Sequence, residues 1–390
     1  MKIISVVGAR PNFMKIAPFI NAIKKHNEKL EPSGSQPVKH LLVHTGQHYD
    51  VRMSESFFRS LGIPNPDINL EIGSGTHAEQ VGHTMIAFEK ICITEKPDWV
   101  VVLGDVNATL ACSVTAKKLN IKVCHIEAGL RSGDMAMPEE INRLVTDRLS
   151  DLLLTPDRLS NENLKKEGVP PEKIEFVGNI MIDTLEANRE KVAGLSIAAI
   201  LEKNRLDEQQ KKPAPKLDSD SRYAVLTMHR PSNVDQKEIL EPILNFLTEE
   251  VSKDMPVIWP IHPRTQKMLQ KFGLWEKAVN AENLVLLYPI GYHEMLRLNM
   301  GAAIMLTDSG GLQEECCVLG TPCLTLRWNT ERPVTLKEHG GASVLVGNNI
   351  SRIREEYQTA LQTGRVPQRP ELWDGQTAQR CVKAILNYGK

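Results

Sequence analysis

The sequence predicts an α/β protein built from two doubly wound domains, each around a parallel sheet. Short runs rich in Val, Ile and Leu alternate with helical patterns along all 390 residues. These runs are apolar at nearly every position, which is typical of parallel strands covered by helices on both faces. The length also exceeds that of most single domains, so we expect two separate cores.

Each predicted strand is a short apolar run that ends in glycine or polar residues. In the first half the strands are IISVVG from Ile3, HLLVHTG from His40, WVVVLGD from Trp99, KVCHIEAG from Lys122, DLLLTP from Asp151 and IEFVGN from Ile174. In the second half they are AVLTMHR from Ala224, PVIWPIHP from Pro256, LVLLYP from Leu284, AAIMLTDSGG from Ala302, PCLTLR from Pro322 and SVLVG from Ser343. The repeated rhythm predicts two Rossmann-like domains.

We place the domain boundary near Gly178, which gives an N-terminal domain over residues 1–177 and a C-terminal domain over residues 178–390. The polar stretch from Ala193 to Ser221 is typical of a helix end and a surface loop. The last predicted helix, at about residues 377–388, is able to pack on either domain, including back on the N-terminal one.

Composition argues against several classes of partner. The chain has 47 basic and 48 acidic residues, so it presents no overall cationic field for nucleic acid. No stretch approaches about eighteen consecutive apolar residues, and the N-terminus lacks the features of a signal peptide. We therefore expect no membrane partner and a cytoplasmic location. The seven cysteines have irregular spacing, which predicts buried thiols rather than disulfides or a zinc site.

Ligands of open parallel sheets bind beyond the carboxyl ends of the strands, so the residues that follow each strand are the candidate site. In the first half these are Gly8, Arg10, Gly46, Gln47, Gly104, Asp105 and Glu127. In the second half they are His229, Arg230, His262, Asp308, Ser309, Gly310, Gly311 and Arg327. Two sets of polar residues predict a ligand in a cleft between the domains.

The stretch LTDSGGLQEE is a candidate phosphate site, because a strand ends and a helix begins directly at two glycines. Ser309, Gly310 and Gly311 would offer backbone N–H groups and the positive end of the helix dipole. Glycines also allow close backbone approach. Glu314 or Glu315 is then able to accept ribose hydroxyls. The alternative for the same residues is an ordinary helix cap.

Basic side chains at two other strand ends predict further contacts to a diphosphate. Arg10 and Lys15 follow the first strand in SVVGARPNFMK, which lacks the Gly-Lys-Ser/Thr of a phosphate loop. His229 follows the first strand of the second half in LTMHRPSN. Such residues are often only solvated charges, but their place at strand ends favours an anion clamp.

Carboxylates follow two buried strands, Asp105 in VVVLGDVNAT and Glu127 in HIEAG. Each is also able to cap the next helix, although the helix after Glu127 begins only after Pro138. In that helix we predict an ion pair between Glu139 and Arg143, four residues apart. Either Glu139 or Glu140 is able to reach the site. The core-facing stripe of this helix is predicted to be Ile141, Leu144, Val145 and Leu149.

No cofactor is expected. GSGTHA from Gly73 fits a dinucleotide-binding pattern, but it follows the second strand and lacks the acidic residue that would bind a ribose. His44 and His48 are four residues apart, but Gly46 between them argues against a helix that would align them for a metal. We therefore predict neither NAD nor a metal ion.

The chain resembles the non-hydrolysing UDP-N-acetylglucosamine 2-epimerase family, whose members have the two-domain GT-B architecture. The resemblance covers nearly the whole chain and rests on GARPNFMK, TGQHYD, GD followed by Asn-x-Thr, HIEAGLRSGD, MPEEINR, MHRPSN, TDSGGLQEE and TERP in this order. It implies an isomerase that interconverts UDP-N-acetylglucosamine and UDP-N-acetylmannosamine. The implied route eliminates UDP to give enzyme-bound 2-acetamidoglucal and then adds UDP back.

The resemblance also implies roles for individual residues. The acid/base carboxylates would be Asp105, Glu127 and Glu139, with Arg143 beside Glu139. The diphosphate would contact Arg10, Lys15, His229, Ser309, Gly310, Gly311 and Arg332. Glu315 would bind the ribose, and the uracil-side positions are Ile290 and Met295. A second, regulatory substrate molecule would contact Gln47, Arg230 and His262.

Three alternatives remain open at this stage. The same reaction on a related substrate, such as a UDP-2,3-diacetamido-glucuronate, depends on side chains of the sugar pocket. A GT-B glycosyltransferase would need an acceptor, and a nucleotide-sugar sensor would bind without turnover. The resemblance further implies a homodimer and a role in making precursors of envelope polysaccharides.

Overall fold

The computed structural model describes residues 1–30, 36–46, 61–209, 215, 217 and 221–389. The chain divides into two compact units. Unit 1 contains Met1–Ala187 and Pro370–Lys390, and unit 2 contains Asn188–Arg369. No helix within the described ranges is long and apolar enough to cross a membrane.

A parallel sheet forms the centre of unit 1. Within the described residues it has seven strands in the order β3-β2-β1-β4-β5-β6-β7. They are β1 (Lys2–Val7), β2 (Lys39–His44), β3 (Ile68–Asn69), β4 (Trp99–Leu103), β5 (Lys122–Ile126), β6 (Leu152–Thr155) and β7 (Ile174–Phe176). The strand order reverses between β1 and β4, and ligands of open α/β sheets bind at such a switch point.

The helices of unit 1 connect these strands or follow them. They are α1 (Arg10–Leu30), α2 (His77–Glu95), α3 (Asn107–Lys118), α4 (Pro138–Leu149), α5 (Arg158–Lys166) and α6 (Ile180–Ala193), with a short 3₁₀ turn at Pro171–Lys173. Helix α6 continues into unit 2, and the break predicted near Gly178 lies shortly before it.

Unit 2 has a second parallel sheet, with six strands among the described residues in the order β10-β9-β8-β11-β12-β13. They are β8 (Ala224–Thr227), β9 (Val257–Pro260), β10 (Leu284–Leu287), β11 (Ile304–Thr307), β12 (Cys323–Thr325) and β13 (Ser343–Leu345). The switch point of this sheet lies between β8 and β11.

The helices of unit 2 follow the same pattern. They are α7 (Ile197–Asn204), α8 (Pro231–Val234), α9 (Lys237–Phe246), α10 (Ser252–Asp254), α11 (Pro263–Lys271), α12 (Trp275–Asn280), α13 (Tyr292–Gly301), α14 (Gly310–Leu319) and α15 (Ile350–Thr363). A π-helical turn at Leu247–Val251 joins α9 to α10, and 3₁₀ turns lie at Asp207–Gln209, Pro333–Thr335 and Lys337–His339.

The central strands are buried on both faces, as their continuous apolar runs predict. Every residue of β4, β9, β10 and β11 is buried. Each fully buried Leu, Ile or Val side chain contributes about 1.5–3 kcal/mol relative to an exposed one. The two parallel sheets with flanking helices confirm the predicted fold class. The short β3 was not predicted, because it contains no apolar run.

The last helix, α16 (Thr377–Asn387), belongs to unit 1 and packs against α1. The carboxylate of Asp183 in α6 accepts the N–H groups of Thr377 at 3.0 Å and Ala378 at 2.7 Å. These bonds satisfy two of the N–H groups that the start of a helix leaves unpaired. The indole of Trp373 donates to the carbonyl of Pro156 at 2.9 Å. The end of the chain is therefore a fixed part of unit 1.

Candidate active site

The carboxyl ends of β1, β4 and β5 surround a buried ion pair between Lys15 and Glu127. The ammonium of Lys15, in α1, donates to the carboxylate of Glu127, which follows β5. Only about 5% of Lys15 and 3% of Glu127 is exposed. Gly104, with φ of +65°, lies against the pair, and a Cβ there would stand 3.0 Å from Lys15 Nζ and 3.4 Å from Glu127 Oε2. A side chain at this position would displace the pair.

Arg143 links two carboxylates in the same unit. Its guanidinium donates to the carboxylate of Asp105, which follows β4, and to that of Glu140. The distance from Arg143 Nε to Glu140 Oε2 is 2.9 Å. Burial raises the pKa of Glu140, but the N–H groups of Ser132 and Gly133 together with Arg143 outweigh it and hold that pKa below its usual range. Glu140 is thus a fixed anion, whereas a quarter of the Asp105 side chain is exposed. Asp105 is the carboxylate of this group that is open to a ligand.

The buried face of α4 differs from the predicted one. Among the described residues, Arg143 pairs with Glu140 and Asp105, so the predicted ion pair with Glu139 is wrong. Ile141 is 44% exposed, although it was predicted to face the core. The buried residues of this helix are Glu140, Asn142, Arg143, Thr146 and Asp147. Polar groups occupy the inner face because they hold the preceding loop, for example Ser132 and Gly133, which donate to Glu140.

In unit 2, Asp308 organises a polar cluster at the switch point between β8 and β11. Its Oδ2 accepts the N–H groups of His229 at 2.9 Å and Arg230 at 2.7 Å, and the amide of Asn233 at 3.1 Å. Its Oδ1 lies 2.9 Å from Nδ1 of His229. Burial raises the pKa of Asp308, but these donors, His229 first, hold it below its usual range. Asp308 thus lies against both the backbone and the ring of His229.

The start of α14 lies beside a guanidinium. Arg332 donates to Glu314 at 2.7 Å and also to Glu331. A Cβ on Gly310 would stand 2.7 Å from Arg332 Nη1 and 2.8 Å from Glu331 Oε1, so only glycine allows this approach. Within the described chain, the side chain of Ser309 makes no capping hydrogen bond to α14. The backbone N–H groups of this helix start and the cation of Arg332 together suit a phosphate.

Glu315, in the second turn of α14, is buried among polar groups of α13. Burial raises its pKa to about 7, and the nearby polar groups of Tyr292 and Asn299 offset only part of that rise. The two predicted uracil-side residues lie nearby in the sequence but belong to the apolar core of unit 2. Ile290 is buried in that core, and Met295 packs against it.

The described residues contain no group of three or more His, Cys, Asp or Glu side chains that is able to hold a metal ion. The GSGTHA stretch forms the start of α2. There Thr76 caps the helix in a reciprocal pair with Glu79, which is a structural use of this sequence.

Comparison with known proteins identifies the family. The chain matches the family described as UDP-N-acetylglucosamine 2-epimerase over residues 31–386. It belongs to the UDP-N-acetylglucosamine 2-epimerase family. The predicted family, its isomerase class and its GT-B architecture are thereby confirmed.

Several members of this epimerase family are similar over their whole length. The UDP-N-acetylglucosamine 2-epimerase of Methanocaldococcus jannaschii is 42% identical over all of both chains. The UDP-2,3-diacetamido-2,3-dideoxy-D-glucuronate 2-epimerase of Pseudomonas aeruginosa is 38% identical, over 93% of this chain and 92% of that protein. A crystal structure of the M. jannaschii epimerase in complex with UDP-GlcNAc and UDP has a TM-score of 0.87 and 40% identity, and it covers 100% of both chains.

In each unit of this epimerase family member, most of the predicted site residues lie close to one another. In unit 1 it brings together Lys15, Asp105, Glu127 and Arg143. Glu139 is half-buried in the first turn of α4, and Arg10 is the first residue of α1. Gln47 lies outside the described residues. In unit 2 the clusters contain His229, Arg230, Ser309, Gly310, Gly311, Glu315 and Arg332, and the ring of His262 lies 5.2 Å from that of His229.

Sequence reasoning did not assign a role to Glu140 beyond an alternative to Glu139, and it missed His125 and Asp147. Glu140 lies three residues before Arg143, and that spacing also places two side chains on one helix face. His125 lies inside an apolar strand, where a histidine ordinarily indicates core. The fold brings it to Asp147 in α4 at 2.6 Å.

Proposed function

We propose that the protein interconverts UDP-N-acetylglucosamine and UDP-N-acetylmannosamine. Family membership supports the reaction type, and one structural observation carries the proposal. Asp105 and Glu127 follow the adjacent strands β4 and β5, and each is paired with a cation, Arg143 or Lys15. Inversion at a C–H centre by proton removal and return requires acid/base groups for two faces of one carbon. Two carboxylates at adjacent strand ends suit that requirement.

The chemistry at C2 explains why an elimination is proposed. C2 carries an acetamido group and is not next to a carbonyl, so its proton is weakly acidic. A carboxylate takes this proton, the C2–H electrons form the C1=C2 double bond, and the C1–O electrons leave with UDP. UDP then adds back to C1 of the glucal while a proton is delivered to the opposite face of C2. We assign the proton transfers to Asp105, Glu127 and Glu139.

UDP would bind to unit 2. The departing diphosphate gains negative charge, and preorganised donors stabilise such charge most effectively. Ser309, Gly310 and Gly311 at the start of α14, with Arg332 and His229, form the set of donors proposed for it. Glu315 is proposed to accept ribose hydroxyls. Arg10 and Lys15 are proposed to add positive charge near the diphosphate.

Unit 1 also has a surface that supports a homodimer. Ile86 and Ile93 on α2 are 61% and 57% exposed, and Ile141 on α4 is 44% exposed. Both helices pack on α3, so these side chains lie on one layer of the unit. Exposed apolar side chains that recur on neighbouring helices favour an interface. We propose that a second copy of the chain covers them. A cytoplasmic location is proposed from the sequence, and the supply of polysaccharide precursors is proposed from the family resemblance alone.

Activation by a second UDP-sugar molecule is proposed for Arg230, His262 and Gln47. Arg230 donates through Nε to the carbonyl of Asp308 at 2.9 Å, and the ring of His262 lies beside that of His229 at an interplanar angle of 35°. A ligand on Arg230 and His262 would therefore act directly on the Asp308 cluster. Epimerisation of UDP-N-acetylmannosamine should accelerate when a small amount of UDP-N-acetylglucosamine is added. A hyperbolic rate curve without that response would contradict activation.

The deciding experiment uses the full chain with UDP-N-acetylglucosamine in deuterated water, without NAD or metal. We expect UDP-N-acetylmannosamine that carries deuterium at C2, because the proton lost from C2 exchanges with solvent. Epimer without the label would overturn the proposed route. A parallel incubation with UDP-2,3-diacetamido-glucuronate tests the alternative substrate, and a faster epimerisation of it would replace the proposed one.

A further inference from the structure

A buried histidine beneath the unit 1 site is held between two hydrogen-bond acceptors. His125 on β5 is fully buried. Its Nε2 lies 2.8 Å from the carbonyl oxygen of Gly104, and its Nδ1 lies 2.6 Å from Oδ1 of Asp147. A carbonyl oxygen only accepts, so Nε2 carries a proton.

The surroundings of Asp147 favour its ionised form. Its Oδ2 accepts the N–H of Gly129 at 3.0 Å and lies 2.7 Å from Nη1 of Arg131. Burial raises the pKa of Asp147, but His125 and Arg131 outweigh it and hold that pKa below its usual range. Asp147 therefore links the ring of His125 and the guanidinium of Arg131 to the loop after Glu127.

His125 and Asp147 contact the backbone just before Asp105 and just after Glu127, two of the proposed catalytic residues. Through Nε2, His125 binds Gly104, the residue before Asp105, where an added Cβ would stand 3.0 Å from Lys15 Nζ and 3.4 Å from Glu127 Oε2. Through Oδ2, Asp147 binds Gly129, two residues after Glu127. Glu127 has φ of +72°, a left-handed conformation that non-glycine residues rarely adopt and that neighbouring contacts must maintain.

We propose that His125 and Asp147 are positioning residues for the epimerisation. Their contacts fix the Gly104 turn and the loop after Glu127, and so keep Asp105 and Glu127 at the positions needed for proton transfer at C2. Neither residue is assigned contact with the substrate. The inference rests on the proposed function, since it concerns the same reaction.

Two matched substitutions separate the two contacts of the ring. In His125→Gln the amide nitrogen takes roughly the place of Nε2 and is able to donate to Gly104. In His125→Asn it takes roughly the place of Nδ1 and is able to donate only to Asp147. We expect His125→Asn to lower kcat about 100-fold with KM within about threefold, since small misplacements of catalytic groups are that costly. His125→Gln should retain at least about ten times more turnover than His125→Asn.

The control is His40→Asn, which replaces a half-buried histidine on β2 of unit 1 that is bonded to Ser5 at 2.9 Å. It should leave kcat within about threefold of the native value, and thermal unfolding of all variants shows whether each is folded. Equal kcat in the two His125 variants, or a rise of KM that accounts for the lost kcat/KM, would overturn the positioning role.

A readout independent of turnover keeps this proposal separate from the proposed function. Nitrogen-15 NMR of the histidine rings should show a proton on Nε2 of His125, with its signals identified by their loss in His125→Gln. Asp147→Asn should keep that proton and shift the Nδ1 signal, because only the partner of Nδ1 changes. A native His125 without a proton on Nε2 would overturn its contact with Gly104. Absence of epimerisation by the native protein would instead contradict the proposed function.

Discussion

The ammonium of Lys15 and the carboxylate of Glu127 form an ion pair that is almost entirely removed from water. Taking both charges out of water costs several kcal/mol for each ion, and their attraction roughly offsets that cost. The pair therefore adds little to stability while complete, but either charge alone would be strongly unfavourable. Catalysis and stability at this position can be separated by experiment.

Removing one partner of this pair should destabilise the protein more than removing both. Lys15→Met or Glu127→Gln alone is expected to lower the free energy of unfolding by about 3–5 kcal/mol, because each leaves the other residue as an unpaired buried charge. The double variant should recover most of that loss while remaining inactive. Denaturant unfolding of the four proteins gives the coupling energy, and additive costs of the two single changes would contradict the prediction.

Asp105→Asn should lower turnover far more than UDP affinity. The amide oxygen is still able to accept from Arg143, so the local structure is kept while the acid/base function is lost. We expect a loss of about 10²–10⁴-fold in kcat, with the Kd for UDP within about threefold. The matched control is Asp151→Asn, which changes a carboxylate paired with Lys117 in the same unit. Equal losses in turnover and UDP affinity would contradict the assignment.

Gly310→Ala should weaken the binding of UDP. The new Cβ would force the guanidinium of Arg332 and the carboxylate of Glu331 to shift away from the start of α14. Losing a hydrogen bond from a charged group costs about 1.5–3 kcal/mol, which corresponds to roughly a tenfold to hundredfold rise in Kd, measurable by titration calorimetry. Gly194→Ala is the control, because a Cβ there has no neighbour within 4 Å among the described residues. An unchanged Kd in Gly310→Ala would remove the start of α14 from the proposed UDP site.

Glu315→Gln should change the pH dependence of stability in the ligand-free protein. Burial raises the pKa of Glu315 to about 7, so the folded protein binds a proton that the unfolded chain releases between roughly pH 4.5 and 7. This stabilising contribution is complete below the unfolded pKa and is lost as the pH rises through the folded one. Relative to native protein, the variant should gain on the order of 3 kcal/mol from pH 4 to pH 8. Melting temperatures that shift in parallel at both pH values would contradict this.

Ile141→Glu should separate the proposed dimer into monomers. The substitution places a charge among the exposed apolar side chains of α2 and α4 without disturbing the buried polar face of α4. Sedimentation velocity of native protein and variant measures the difference in mass. Val366→Glu, at a position that is 46% exposed in unit 2, is the control and should remain dimeric. A native protein that sediments as a monomer would remove the dimer from the proposal.

The sequence predicts the strands well because each central strand is apolar at every position, and a run such as WVVVL in β4 is buried throughout. It also places the polar residues of both units, since they follow strands whose carboxyl ends meet at one edge of a sheet. The face of α4 is predicted wrongly for a physical reason. The predicted stripe consists of Ile141, Leu144, Val145 and Leu149. Such a stripe indicates the inner face of a helix only when the surface that the helix packs on is apolar. Here α4 packs on backbone that needs hydrogen bonds.

Contacts between distant segments were beyond sequence reasoning. The partner of His125 is Asp147, and the two are brought together only when α4 packs beside β5. The pKa of Glu315 likewise depends on how deeply α14 is buried, which no local pattern reports. Residue types and spacing therefore predict which side chains reach the site, whereas the charge on each depends on the completed packing.

The return of Pro370–Lys390 to unit 1 has a consequence for biosynthesis. A ribosome makes most of unit 1 first, yet its final helix emerges only after the whole of unit 2. Until then, one surface of α1 is not covered by α16. The carboxylate of Asp183 also lacks the two N–H groups of α16 that it accepts in the folded protein. During synthesis, unit 1 therefore stays incomplete until residues 370–390 emerge, whereas all residues of unit 2 are available for folding before that point.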